Sequence, residues 1–117
     1  MLSDIKYFRI REILSTVISY LATGKGDMRE RLGVIFIEID ELNEDDFPVE
    51  LQKDWNFVVS TLTKYPPTYK YDGCLDLSSS EHTLSKIKNQ TACKVAEKIY
   101  YLYEEMIFGK YSHFSCV

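Results

Sequence analysis

Apolar residues recur along this chain at helical spacing in four long stretches, with polar breaks between them. The first stripe is Ile10, Ile13, Leu14, Val17 and Leu21, which predicts a helix over 4–23. Ser3 stands where an N-cap belongs, and Gly24 where a left-handed C-terminal residue is wanted. Gly24-Lys25-Gly26 is a short turn and favours an antiparallel neighbour.

A second helix is expected over 27–43. Asp27 and Glu30 have capping-box spacing, so each can satisfy a backbone N–H at the helix start. Leu32, Ile35, Phe36, Ile39 and Leu42 continue the helical period. Ile35 to Asp40 also alternates in part and is rich in β-branched residues, as a strand would be. The length of the pattern and its cap favour helix. Val34 and Ile37 fall beside the main stripe, which predicts a central helix that is apolar over a wide arc.

Asn43 to Phe47 reads as a polar break, and Pro48 suits the first turn of a third helix over 48–64. Leu51, Trp55, Val58 and Leu62 line its buried face. It should end before Tyr65-Pro66-Pro67, because a residue preceding proline is pushed out of helical geometry. Residues 66–80 read as a loop, with two prolines, Asp72-Gly73 and three consecutive serines. Leu75 and Leu77 could tuck it onto the body. A short helix fits 81–88. Asn89 then looks like the cap of a last long helix over 90–108, with Ala92, Val95, Ala96, Ile99, Leu102, Tyr103 and Met106 on its stripe and Gly109 at its stop. Residues 110–117 form a tail. The expected fold is all-α: one domain over 1–117, a small antiparallel helical bundle of four long helices with a short helix and one long loop.

Composition agrees with one globular domain: 117 residues are too few for two ordinary cores, and 45% hydrophobic residues are enough for one. Charge changes the picture more. The chain is net −4, yet the segment 38–54 alone holds eight acids against one base, Lys53. Those acids are Glu38, Asp40, Glu41, Glu44, Asp45, Asp46, Glu50 and Asp54. The other residues carry ten acids and thirteen bases and are net positive. Acidity is therefore local, and a local field can steer a basic partner. A pI near 5.2 argues against nonspecific nucleic-acid binding. The N-terminal residues are charged throughout and hold no apolar signal region, and no apolar run reaches membrane-spanning length, so the expected location is the cytoplasm. Cys74, Cys93 and Cys116 then read as reduced thiols, and Asn89-Gln90-Thr91 as a chance sequon.

The chain offers little for catalysis. It contains no nucleophile elbow, P-loop or dinucleotide fingerprint. His82 beside Ser78, Ser79 and Ser80 reads as a solvated helix cap. His113 and Cys116 could supply two metal ligands, too few for a structural zinc site. Cys93 reads as a small core residue. The acidic stretch lacks the glycine turn and ligand spacing of a calcium loop. No catalytic residue, cofactor or metal is expected.

Two accounts of the acids stand side by side. Asp45, Asp46 and Glu50 near a helix start complement its dipole, as a solvated face would. Glu38, Asp40 and Glu41 near a helix end oppose theirs, which a partner-binding surface would explain. Exposed tyrosines beside acids are a common make-up of binding hot spots, and Tyr69 and Tyr71 in the long loop join the candidate surface. Tyr103 lies on the last helix's buried stripe, with Tyr100 and Tyr101 flanking it.

Two resemblances add to this reading. Glu30-Arg31-Leu32, Asp46-Phe47-Pro48, Leu51, Trp55 and Leu62-Thr63-Lys64 resemble a pattern in small bacterial proteins without assigned chemistry. That resemblance implies a bacterial origin and a helical fold. By type, a short, acidic, all-helical chain resembles the immunity proteins that neutralise nuclease toxins. This second resemblance implies a protein partner, a basic toxin domain met by carboxylates and tyrosines, and no direct contact with nucleic acid or membrane. The alternative expectation is a helical accessory or regulatory subunit of another bacterial system, such as phage defence.

Overall fold

The computed structural model describes residues 2–109. Among the described residues, five helices and one small hairpin follow one another as α1 (Leu2–Thr23), α2 (Met28–Asp40), α3 (Val49–Leu62), β1 (Thr68–Tyr69), β2 (Leu75–Leu77), α4 (Ser79–Lys86) and α5 (Asn89–Phe108). A single 3-10 turn, Glu44–Asp46, sits between α2 and α3. The protein is thus mostly helical. Among the described residues, no helix is long and apolar enough to cross a membrane. The expectations for the tail, His113 and Cys116 lie outside the described residues.

The predicted stripes are the core. Ile10, Leu14, Val17 and Leu21 of α1 pack with Leu32, Ile35 and Ile39 of α2, all buried. Leu51, Trp55, Val58 and Leu62 of α3 meet Ala92, Val95, Ile99, Leu102 and Met106 of α5 in the same cluster. α1, α2 and α3 all pack on α5. The wide apolar arc expected of α2 is not buried: Val34 is 59% and Ile37 72% exposed. Only one stripe of α2 faces inward, because its outer side has no helix against it there. The competing strand reading of 35–40 loses to the helix.

Helix starts show which local signals acted. The Asp27–Glu30 capping box forms at α2 as expected. Asn89 does not cap α5. It is the first residue of α5, and its Oδ1 accepts the Met28 and Arg29 N–H groups, at 2.9 and 3.3 Å, at the start of α2. The α2 terminus is thereby satisfied from two directions: Asp27 takes the Glu30 N–H and Asn89 takes two more. Ser3 lies within α1 rather than at its cap.

In the first turn, Gly26 rather than Gly24 adopts positive φ, at +88°. Gly24 is needed for a close approach instead, since a Cβ there would meet the Tyr20 ring at 2.7 Å. Arg31 locks the turn by donating to the Gly26 and Leu21 carbonyls, each at 2.9 Å.

The stretch read as a loop over 66–80 contains the antiparallel pair β1–β2. Its turn is Lys70–Cys74, with Gly73 at φ +90° and the Asp72 carboxylate accepting the Cys74 N–H. α4 begins at Ser79, earlier than expected, because Ser78 and Glu81 form a second capping box. Ser79 Oγ donates to the Tyr65 carbonyl, and Thr83 Oγ1 accepts the Tyr65 N–H, so α4 clamps the chain as it leaves α3.

Candidate partner-binding surface

The acid-rich segment joins α2 to α3, and its placement follows from two apolar residues within it. Leu42 is 3% and Phe47 2% exposed, so both are core residues. The sequence reading of 43–47 as a polar break misses that Phe47 is buried. Its ring stacks on Trp55 at a centroid distance of 4.8 Å. Trp55 Nε1 in turn donates to the Leu42 carbonyl at 3.3 Å, and Gln52 Nε2 donates to the Phe47 carbonyl at 3.0 Å. Burying a large apolar ring contributes roughly 1.5–3 kcal/mol. Two such anchors give the connection one conformation, despite the repulsion among its carboxylates.

Between the anchors the chain makes the 3-10 turn. The Asp46 carboxylate accepts the Asn43 N–H at 2.8 Å, and the Phe47 N–H donates to the Glu44 carbonyl. Glu44 and Asp45 are left on the outside of this turn, exposed. Asp40 and Glu41 are exposed at the end of α2, and Glu50 is exposed in the first turn of α3, where it complements the helix dipole.

Neighbouring helices partly neutralise the cluster. Lys98 of α5 donates to Asp54 at 3.0 Å and sits 5.3 Å from the centre of the Tyr101 ring. Arg9 of α1 lies 4.0 Å from Glu41, with both side chains more than half exposed, so this pair contributes little to stability. Among the described residues, Glu38, Asp40 and Glu44 have no ion pair within 4.0 Å.

The structure does not bring the two candidate tyrosines to these acids. Tyr69 and Tyr71 are exposed on the hairpin, beyond the C-terminal end of α3. The acidic turn precedes the N-terminal end of α3, and that helix spans 14 residues, about 20 Å. Other side chains supply the apolar element beside the acids. Tyr101 is tied in through Lys98, while Ile37 and Val49 are 72% and 79% exposed next to Glu38 and Glu50. Lys98 and Tyr101 are distant in sequence from the acids, and nothing local could have singled them out. Phe47 had a local signal, as an aromatic three residues after Glu44 and eight before Trp55, hidden by the acids Asp45 and Asp46 beside it.

His82 is half-buried. Its Nδ1 lies 2.8 Å from the Pro66 carbonyl and, since a carbonyl only accepts, carries the proton. The ring also tilts against Tyr65 at 5.3 Å. It ties α4 to the chain after α3. Cys93 is half-buried, 3.8 Å from the Asn89 amide nitrogen, and Cys74 is exposed in the hairpin turn.

No protein-family model, no curated protein and no solved structure matches this chain.

Proposed function

We propose that this protein is a non-catalytic, cytoplasmic immunity protein of bacterial origin, built as an antiparallel body of four long helices. It binds a basic toxin domain of nuclease type and occludes the toxin's substrate-binding surface. The observation that carries this reading is the anchored acidic connection. Leu42 and Phe47 hold a 3-10 turn whose Glu44 and Asp45 are exposed, as are Ile37 and Val49 on the flanking helices. A fixed acidic surface with an apolar component loses little freedom on binding, and lysines and arginines that grip phosphates complement it. Charge sets encounter rate and specificity, and a few buried contacts carry affinity.

The test uses Asp40→Lys with Glu44→Lys, two exposed sites with no ion pair. Native and variant chains are used as bait in lysate of the source bacterium at low salt. The native chain should retain a basic nuclease domain and release it at high salt, and association should slow by roughly tenfold in the variant. Equal retention by the variant would remove the acidic surface from the mechanism.

A second reading is a helical accessory subunit of another system such as phage defence. The exposed Val34 and Ile37 on α2 favour it, since a subunit interface would cover them. Mass by light scattering that rises with concentration, and no longer rises in Ile37→Glu, would support it.

A further inference from the structure

α3 and α5 run in opposite directions along a shared seam. Asp54 of α3 pairs with Lys98 of α5, while Lys64, just past the end of α3, lines the same groove as Lys88, just before α5. Moving one helical turn along each helix from the Asp54–Lys98 pair brings Phe57 level with Lys94, then Thr61 with Thr91, then Lys64 with Lys88. Side chains at the middle level are short. They leave an open groove of about 640 Å³ between the helices, floored by the α4–α5 link. That is the size range of small-molecule sites.

The lining has an unusual charge balance for an acidic protein. Four lysines border the groove, Lys64, Lys86, Lys88 and Lys94, and no carboxylate does. All four are exposed, and among the described residues none has an acid within 4.0 Å. Lys98, one turn beyond, shows what a matched lysine on this seam looks like, at 3.0 Å from Asp54. Thr61 and Thr91 add hydroxyl donors to the walls, while the Ser60 hydroxyl already donates to the Phe57 carbonyl at 3.3 Å. The first turn of α5 opens beside Lys88, without a side-chain cap of its own. Phe57 stands in the same groove and is 43% exposed. Tyr65 already carries His82 and the Lys64 ammonium, the latter 5.7 Å from its ring centre, so Phe57 is the available ring.

We propose that this groove binds a small ligand joining a planar ring to a linked di- or triphosphate, as in a nucleoside polyphosphate. The phosphates lie among Lys64, Lys86, Lys88 and Lys94, with the hydroxyls as further donors, and the ring lies on Phe57. Lysines serve phosphate as compact point charges, and base–aromatic stacking tolerates any base. The anion is a small molecule and not a nucleic-acid strand, because the unpaired lysines are gathered in this one groove and a strand running on along α3 would meet the acids where that helix begins. This site is separate from the acidic surface and does not depend on the immunity reading.

The experiment is calorimetric titration of the full chain with adenosine triphosphate, with inorganic tripolyphosphate, and with a short single-stranded RNA, at ~50 mM salt. Adenosine triphosphate should bind saturably below ~1 mM. Lys64→Gln with Lys88→Gln should weaken both phosphate probes by roughly tenfold or more. Phe57→Ala should weaken adenosine triphosphate by roughly fivefold or more and leave tripolyphosphate unchanged. No saturable binding, or binding indifferent to the lysine variant, overturns the proposal. So does tighter binding of the RNA than of adenosine triphosphate, which would make the groove part of a nucleic-acid surface.

Discussion

Asn89 shows how a residue type can be right and its role wrong. A small amide beside a helix start is a cap by local logic, and the sequence places it at the start of α5. In the folded chain it does cap a helix, but the helix is α2, whose Met28 and Arg29 donors lie sixty-one and sixty positions away. Asn89→Ala should therefore cost about 1 kcal/mol in chemical denaturation. Native-state amide exchange should quicken at Met28 and Arg29 and not in the first turn of α5. Faster exchange at α5 alone would mean the cap is local after all. Phe47 is the same lesson for an apolar residue. It sits in an acidic run and reads as part of a polar break, but its ring is needed beneath Trp55.

Helix starts carry the clearest local code in this protein. Both boxes, Asp27 with Glu30 and Ser78 with Glu81, combine a side-chain acceptor with a reciprocal carboxylate. The Glu30 N–H, followed by the Arg29 guanidinium, holds the Asp27 carboxyl below the usual carboxylate range. The Ser78 N–H and hydroxyl do the same for Glu81. A carboxyl with a lowered folded-state pKa stabilises the fold above its unfolded value and ceases to as pH falls through the folded one. Stability should thus be level near neutrality and decline below roughly pH 4. In Asp27→Asn with Glu81→Gln, denaturation followed against pH should give a lower plateau and a shallower decline. An unchanged slope would show that these boxes do not contribute. The hairpin was the element least legible. Asp72-Gly73 is a hairpin turn pair, but its strands are two and three residues long, too short for an alternating pattern to register.

The whole molecule is electrically divided. Carboxylates gather where α2 ends and α3 begins, and lysines with no acid within 4.0 Å among the described residues gather where α3 ends and α5 begins. The hairpin is peripheral to both. It packs on the body chiefly through β2 against α4, and Tyr69, Tyr71 and Leu75 remain exposed. Replacing 68–77 with a flexible linker of equal length should leave the helical circular dichroism intact. It should change the unfolding free energy by less than about 1 kcal/mol. A larger loss would place the hairpin among the parts that hold α4 down. In the same variant, unchanged capture of a basic partner would remove Tyr69 and Tyr71 from the binding surface.

Periodicity alone reached the helices and nearly all of the core, because a buried stripe at 3.6-residue spacing is a local property of an amphipathic helix. The concentration of charge in 38–54 was equally plain, being a matter of composition. What lay beyond the sequence were relations between distant segments. They include the cap that α5 lends to α2, the lysine that α5 sets against Asp54, and the removal of the loop tyrosines to the far end of α3. The lysine groove belongs with them, since Lys64 and Lys88 become neighbours only when α3 and α5 pack in opposite directions. Spacing along a chain encodes which face of a helix is buried, and only packing decides which other face it meets.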